Sequence, residues 1–419
     1  MTPQNAQGHR AYFLAQSLHF AAGGLMGVLF PWIITQELHE SQARVGIAQA
    51  FATLPMMMLV LVGGAAADGR DLRAYIGRLQ LSLALVPIAL ALVIALGQLT
   101  FVSMTLGLVV IGVIGSFIMP ARDALLSYVT PPEIGLARTA AMAIAATFAG
   151  QLAGTAVAAS ASTIGAVPLL ALQAALIATA GVLSARVPLV NPHAFAAHTP
   201  AKLSRILHEM IDGLKTVRDH ERLRTVILYV AIAGPLFNGM VLVGFPLMVR
   251  DVYHGSSLML SAIMGTFLLG LTLASFAMSW IKPIEHQGRM LMLFSLNNVF
   301  VFTVAYFVPP FPVFLVLMLF WGMGAGAGMA LNRGMIQSAA PPLYRARVLS
   351  VLQFSQFAGG PPGALIFGFM AQGAGIVNAM LTIPVAVALL WITFRLTTRL
   401  WHFKREEAIA EATAPVALD

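Results

Sequence analysis

The stretch FVSMTLGLVVIGVIGSFIMP, residues 101–120, is a run of twenty residues without a charged side chain. A helix of about 20 apolar residues is long enough to cross the hydrocarbon core of a bilayer. The rest of the chain has the same character, since 59% of its 419 residues are hydrophobic and only 10% are charged, against about 25% charged in soluble domains. A soluble fold could not cover its surface with so few charges, so the run predicts one of several membrane-spanning helices.

Apolar runs interrupted by charged residues recur along the whole chain. They predict spans at 11–35, 44–67, 74–97, 100–121, 139–161, 164–185, 223–249, 258–281, 290–308, 312–332, 348–371 and 375–395. We therefore expect an all-α membrane protein with twelve transmembrane helices. The polar stretches divide it into an N-terminal six-helix bundle (1–186), a linker (187–222), a C-terminal six-helix bundle (223–398) and a tail (399–419).

The distribution of cations predicts the orientation of these spans. With the N- and C-termini in the cytoplasm, every lysine and arginine of the 24 except Arg44 and Arg250 falls on the cytoplasmic side, as the positive-inside rule requires. The net charge of +8 is then a signal of topology. It gives no reason to expect a nucleic acid as a partner.

The two halves of the chain resemble each other at a shift of about 211 residues. GGLMGVLFPWIITQELHES (23–41) aligns with NGMVLVGFPLMVRDVYHGS (238–256), and the Phe30-Pro31 pair matches Phe245-Pro246. Internal repeats of this kind are typical of transporters whose halves rock about a central site. The repeat therefore predicts two pseudo-symmetric bundles and transport by alternating access.

Residues 201–222 form the most polar part of the linker and have an amphipathic pattern. Apolar side chains recur there at helical spacing, with charged side chains on the other face. The pattern predicts a helix that either lies on the cytoplasmic membrane surface or packs under the bundle. A role in membrane sensing is the alternative to a plain connector.

Four segments resemble those of a known family, namely GGAAADGRDLR (63–73), GSFIMPARDALLSYVTPPEIGLAR (115–138), SRILHEMIDGLKTVRDHERLR (204–224) and PPGALIFG (361–368). They are similar to segments of the major facilitator superfamily and, within it, of the bacterial exporters similar to the enterobactin exporter. Two features depart from the family's patterns: Gly69 stands where the loop pattern has arginine, and span five lacks the Gly-Pro step of many antiporters. The resemblance implies a monomeric multidrug or siderophore-type exporter in a bacterial inner membrane.

The resemblance also implies a charge cluster that holds the cytoplasmic gate shut. Its central pair is Asp68 and Arg122, at the predicted rim of spans two and four. Asp123 either belongs to this cluster or serves as a proton site, and Arg333 lacks an obvious acidic partner in the second half. The predicted gating residues are Gly64, Asp68, Arg70, Arg73, Arg122, Asp123 and Arg333.

Enzymatic functions are excluded by the residue inventory. None of the four lysines follows glycine, so the chain has no phosphate-binding loop of the Walker type, and it has neither His-Glu-x-x-His nor Gly-x-Ser-x-Gly. No cofactor or metal is expected. Transport must then use a gradient, with the proton as the expected coupling ion.

None of the sixteen acidic residues falls in the middle of a predicted span. His19 is the one titratable group that the sequence places well inside a span, and an imidazole exchanges protons near neutral pH. Either it lines the cavity and binds substrate or protons, or it is a neutral histidine bonded to a neighbouring helix. Without a buried counter-charge, small charged substrates are disfavoured.

Polar side chains inside spans normally face the protein interior or a water-filled cavity. On this basis the predicted cavity residues are Gln16, His19, Thr147, Gln151, Asn238, Gln353 and Gln356. The 22 methionines and 25 phenylalanines offer a pliable lining for hydrophobic compounds.

The sequence thus predicts a proton-driven exporter of hydrophobic or amphiphilic small molecules that has membrane lipid as its other partner. A lipid or lysolipid flippase, or an uncoupled facilitator, is the alternative within transport. A non-transporting membrane sensor is a third possibility.

Overall fold

A computed structural model describes residues 3–131, 133–190, 203–281, 284–341 and 344–408. Every regular element within these ranges is a helix. In the N-terminal half the α-helices are α1 (Pro3–Trp32), α2 (Gln42–Ala67), α3 (Leu72–Ala95), α4 (Phe101–Val129), α5 (Leu136–Ala158), α6 (Ala161–Ile164) and α7 (Ala166–Ala185). From the linker onward they are α8 (Leu203–Asp219), α9 (Glu221–Gly239), α10 (Phe245–Leu247), α11 (Ser257–Trp280), α12 (Gln287–Tyr306), α13 (Phe311–Ala339), α14 (Arg345–Ala358), α15 (Gly360–Ala374) and α16 (Ile376–Thr397).

The chain divides into two compact units. The first unit comprises Met1–Ile206 and His254–Gly265, and the second comprises Leu207–Tyr253 and Thr266–Asp419. Eleven helical segments in the described residues are long and apolar enough to cross a membrane. The predicted all-helical membrane fold is therefore confirmed.

The span predicted at 348–371 differs from the observed structure. It consists of two helices, α14 with 14 residues and α15 with 15, that meet at Gly359. A Cβ atom on Gly359 would lie 2.6 Å from the backbone carbon of Gly234 and 2.8 Å from the nitrogen of Pro235. The break thus lies where the backbone of α9 approaches most closely, and Pro361 and Pro362 beyond it cannot donate backbone hydrogen bonds.

The Phe-Pro pairs of the repeat lie beside π-helical turns. One turn, Ile33–Glu37, follows Phe30-Pro31, and two others, Met240–Gly244 and Met248–Val252, flank α10 with its Phe245-Pro246 pair. Proline lacks the N–H that an α-helix would bond, and π-turns of this kind are often found at functional sites. The repeat seen in the sequence therefore has a counterpart in the local backbone.

Within the first unit, α1 and α5 pack with almost no space between their backbones. A Cβ atom on Gly24 would lie 2.1 Å from the carbonyl oxygen of Gln151, and one on Gly154 would lie 1.8 Å from that of Ala21. Small residues permit such close contact between membrane helices. Gly24 and Gly154 therefore permit the close approach of α1 and α5.

The core of the second unit contains an aromatic cluster around Trp321 on α13. The indole is 1% exposed, and its ring centroid lies between 4.8 and 5.5 Å from those of four phenylalanines. Its Nε1 donates a hydrogen bond of 2.6 Å to Oδ1 of Asn298 on α12. Stacking and this polar bond together fix α13 against its neighbours.

The linker helix α8 packs against the second unit with its C-terminal part. Nη1 of Arg347 lies 3.3 Å from Oδ2 of Asp212, and Val217 is buried in the hydrophobic core of the unit. Ile211 and Leu214 stay exposed. Of the two predicted placements, packing on the bundle therefore holds for residues 212–217, whereas residues 191–202 of the predicted linker and 409–419 of the tail lie outside the described residues.

Candidate functional site

The guanidinium of Arg122 is buried within the first unit, on a helix that continues beyond it. Helix α4 continues to Val129, about two turns beyond Arg122, and the side chain is only 6% exposed. The predicted end of span four at residue 121 was wrong because charges interrupt the apolar run while the helix continues. The expectation that no counter-charge is buried was therefore also wrong.

Arg122 is held by a string of polar side chains from α1 and α5. Its Nη2 donates to Oε1 of Gln16, and Nε2 of Gln16 donates to Oγ1 of Thr147 over 2.9 Å. The Tyr12 hydroxyl donates to the backbone oxygen of Arg122 over 3.4 Å. Two of the predicted cavity residues and one predicted gating residue thus meet in a single network.

A second polar string begins one helical turn further along α1. Nε2 of Gln80 on α3 lies 3.1 Å from Nδ1 of His19, and Ser184 on α7 donates to Oε1 of Gln80 over 3.2 Å. With Oε1 accepting from the serine, the amide nitrogen faces His19, so Nδ1 accepts. This arrangement fits a neutral imidazole that carries its proton on Nε2.

The ring of Phe20 lies between the two strings. Its centroid is 5.1 Å from Cζ of Arg122 and 5.4 Å from the imidazole centroid of His19. The first distance is that of a cation–π contact. We call the set Gln16, His19, Phe20, Gln80, Arg122, Thr147 and Ser184 the polar cluster of the first unit.

The cluster is costly to maintain in a membrane, because a buried guanidinium loses its hydration. Gln16 offers Arg122 only a neutral acceptor, and Nη1 of Arg122 has no hydrogen-bond partner in the structure. Unsatisfied buried donors carry a free-energy penalty of about 1–3 kcal/mol, more when charged. Such a penalty is typical of a site whose purpose is binding or switching.

The other predicted cavity residues do not join this cluster. Gln151 on α5 is half-buried. In the second unit, Nδ2 of Asn238 donates to the carbonyl oxygen of Gly234 over 2.9 Å and to that of Gln356 over 3.3 Å, which links α9 to α14. Gln353 is exposed.

The predicted ion pair between Asp68 and Arg122 is absent from the structure. Asp68 is an exposed residue at the C-cap of α2, and no ion pair between it and another described residue is found. Burial of Arg122 explains why, since the guanidinium points to Gln16 and is not available to the loop. The gating role of Asp68 stays a prediction.

The other predicted gating residues of the same loop have local contacts. Arg70 lies with Cζ 5.1 Å from the ring centroid of Tyr75, and Arg73 forms an ion pair of 2.9 Å with Asp71. A Cβ atom on Gly64 would lie 3.9 Å from Pro120, whereas one on Gly63 would lie 2.1 Å from the carbonyl oxygen of Ser116. Gly63 is therefore the glycine that the close α2–α4 contact requires.

The cap residue Asp71 leads to a prediction of how thermal stability depends on pH. It caps α3 by accepting from the backbone N–H of Arg73, and the side-chain hydrogen bond from Arg73 holds the pKa of its carboxyl below the usual range. A lowered pKa means that the stabilisation is complete above the unfolded pKa of about 4 and is lost as the pH falls through the lower folded value. Loss of the cap should cost about 1 kcal/mol of folding free energy. We therefore expect Asp71→Ala to have a lower melting temperature than wild type at pH 7, and this difference in melting temperature to shrink below pH 4. Thermal unfolding of both proteins between pH 7 and pH 3 measures this, and a difference that grows on acidification would contradict it.

Asp123 and Arg333 are both exposed. Asp123 interacts electrostatically with Arg122 and Tyr12, whereas Arg333 belongs to the second unit. The gating roles of both stay predictions. Sequence reasoning also missed Phe20, Gln80 and Ser184. Gln80 gave a usable signal, since it is an amide inside the span predicted at 74–97. Its side chain is fully buried in the structure.

Comparisons with known proteins agree with this fold. A family model described as Major Facilitator Superfamily matches residues 12–364. The chain is 27% identical over 388 residues to the multidrug efflux pump Tap of Mycolicibacterium fortuitum, covering 89% of this chain and 91% of that protein. It is 25% identical over 402 residues to Tap of Mycobacterium tuberculosis, covering 91% of each. Among solved structures, the nucleoside transporter NupG superposes with a TM-score of 0.76 at 14% identity, covering 96% of this chain and 100% of that one.

The repeated spans, the helical fold and the buried polar cluster define a multi-pass helical membrane transporter. The family model covers most of the chain, so the chain belongs to the major facilitator superfamily. Its relatives are transporters and not enzymes, which confirms that part of the sequence-based prediction.

Proposed function

We propose that this protein is a proton-driven exporter of hydrophobic or amphiphilic small molecules in a bacterial inner membrane. The observation that carries the proposal is the polar cluster of the first unit, a set of amide, imidazole and guanidinium groups buried between apolar spans. Such groups are retained in membranes where a substrate or ion passes. The likeness to the Tap multidrug efflux pumps over 91% of their length supports export of more than one compound.

Inverted membrane vesicles that contain the protein test this function. A panel of hydrophobic and amphiphilic fluorescent compounds is offered with an imposed pH gradient, acid inside, and after its collapse. We expect several compounds to accumulate only while the gradient exists. Movement of labelled lipid without a gradient would indicate a flippase, compound equilibration without a gradient would indicate a facilitator, and no movement would indicate a sensor. Each of these three results would overturn the proposal.

His19 is the group that we assign to proton coupling. A proton added at Nδ1 would turn this nitrogen from acceptor to donor, so the Gln80 amide would have to rotate and lose its bond from Ser184. Proton binding would in this way be linked to the contacts among α1, α3 and α7. The same geometry keeps His19 neutral until a proton arrives.

Replacement of His19 by glutamine is expected to keep the bond to Gln80 and to remove the titrating group. We predict that transport by His19→Gln falls about tenfold at pH 7 and that the remaining rate loses the pH dependence of the wild-type protein. His286→Gln is the matched control, because His286 is an exposed histidine outside the spans. A His19→Gln variant with wild-type rate and pH profile would exclude coupling through this residue.

Asp68 is the residue that we assign to the gate. An acidic side chain in an exposed loop can switch partners between two conformations, and a difference of about 1 kcal/mol shifts such an equilibrium roughly fivefold. We predict that Asp68→Asn leaves the amount of folded protein unchanged but lowers transport about fivefold. Asp71→Asn is the control from the same loop, since asparagine caps a helix as well as aspartate. Equal transport by both variants would argue against the gate.

A further inference from the structure

We infer that Arg122 binds the anionic group of an amphiphilic substrate such as an aromatic carboxylate. This inference rests on the proposed function, since it names the substrate class of the same transporter. It changes the chemical expectation, because the sequence placed no charge inside the spans and so favoured neutral compounds.

The first observation is an unfilled donor on a buried cation. Arg122 is only 6% exposed, and its Nη1 has no hydrogen-bond partner. Nη2 has only the amide oxygen of Gln16. A carboxylate could bind Nη1 directly and replace Oε1 of Gln16 on Nη2, which would give the two parallel bonds that a guanidinium forms with carboxylates.

The second observation is open space along the helix faces that carry Gln16 and Arg122. Gln16, Phe20 and Gly23 follow one another at spacings of four and three residues and so lie on one face of α1. Gly23 is only half-buried, and a Cβ atom added there would meet no atom of the structure within 4 Å. The same holds for Gly115, two turns before Arg122 on the corresponding face of α4. The faces of α1 and α4 that carry Gln16 and Arg122 are therefore each open about two turns away, at Gly23 and Gly115.

The third observation is the aromatic surface below the cation. The Phe20 ring stacks under Arg122 with 5.1 Å between centroid and Cζ, and it also contacts His19. The aromatic body of a substrate bound through its carboxylate would contact the Phe20 ring and the apolar side chains of α1. The site thus fits a molecule with an aromatic body and one anionic group, and a cationic drug would be repelled by Arg122.

Matched pairs of probes test the inference by binding alone. Purified protein in lipid nanodiscs is titrated at pH 7.5 with pyrenebutyrate and pyrenebutyramide, and with naphthylacetate and its amide, with binding to empty nanodiscs subtracted. We expect wild type to bind at least one acid about tenfold more tightly than its amide. Arg122→Gln should abolish this preference, and Arg122→Lys, which keeps the charge but not the fork, should reduce it.

Two further variants separate this role from a structural one. Arg138→Gln removes an exposed cation of the same unit and should leave the preference unchanged. Gly23→Leu keeps Arg122 and fills the open space, so acid binding should fall at least about fivefold while the melting temperature does not fall, since leucine is a better helix former than glycine. This second variant tests the site even if Arg122→Gln does not fold.

The inference is overturned if no acid binds more tightly than its amide to wild type, or if Arg122→Gln folds and retains the preference. Its failure is distinct from that of the proposed function. Gradient-driven export in vesicles with no preference for acids in binding would support the proposed exporter function and refute the anion site. A binding preference for acids without any transport would support the anion site and refute the proposed exporter function.

Discussion

Replacing Gly154 by alanine is expected to separate α1 from α5 and to abolish most of the transport activity. A Cβ atom at this position would lie 1.8 Å from the carbonyl oxygen of Ala21 and 2.8 Å from the backbone nitrogen of Leu25. Both neighbours are backbone atoms, which cannot rotate away, so one helix must move. Overpacking of this kind costs about 1–3 kcal/mol and sometimes more.

The movement would also disturb the polar cluster, because Gln16 lies on α1 and Thr147 on α5, joined by a bond of 2.9 Å. We therefore predict a lower melting temperature and at least a tenfold loss of transport for Gly154→Ala. Gly27→Ala is the matched control, since a Cβ atom at Gly27 would meet no atom within 4 Å and alanine favours the helix. A Gly154→Ala protein with unchanged melting temperature and transport would show that the two helices do not approach this closely.

Replacing Trp321 by alanine should have the second large effect, through the core of the second unit. The indole contacts the rings of Phe237, Phe245, Phe267 and Phe302, and its removal leaves a cavity that the surrounding helices can only partly close. Large-to-small changes of this kind cost about 3–5 kcal/mol in protein cores. We predict a protein that is poorly recovered in the folded state, as measured by size-exclusion chromatography and thermal unfolding in detergent.

Trp321→Phe separates the packing of this core from its hydrogen bond. Phenylalanine keeps most of the ring contacts but cannot donate to Asn298, so a loss of about 1 kcal/mol is expected. Equal destabilisation by alanine and phenylalanine would place the main contribution in the hydrogen bond and contradict the packing interpretation.

The sequence predicted most of the fold because membrane spans obey a single strong rule. Apolar length alone located most spans within a few residues. In lipid the backbone must satisfy its own hydrogen bonds, so a long apolar segment forms a helix. The rule failed where a helix continues beyond the end of its apolar run. Helix α4 runs eight residues beyond the predicted end of its span, because a helix can continue through charged residues, here the buried Arg122 and the exposed Asp123.

The break between α14 and α15 could not be predicted from apolar length either. It depends on the contact of Gly359 with Gly234 and Pro235 on a helix more than a hundred residues away. The π-helical turns have a partial signal in the Phe-Pro pairs of the repeat, but a proline in a membrane helix can be accommodated in several ways.

The sequence predicted some members of the candidate site but none of the contacts between them. Gln16, His19 and Thr147 were identified as polar side chains in apolar runs, and these three lie in the cluster. Their partner Arg122 was assigned to the rim, because the charge next to it, Asp123, made the whole segment read as a loop boundary. Which polar groups pair across helices depends on the rotation of each helix about its axis, which a weak apolar periodicity does not fix.

Proton flux measured together with substrate movement tests proton-driven export most directly. Purified protein is reconstituted into liposomes that contain a pH-sensitive dye, and a compound transported in the vesicle assay is added on one side without an imposed gradient. We predict that addition of the compound moves protons in the opposite direction and that His19→Gln abolishes this proton movement. Substrate equilibration with no change in internal pH would contradict the proposal and identify an uncoupled facilitator.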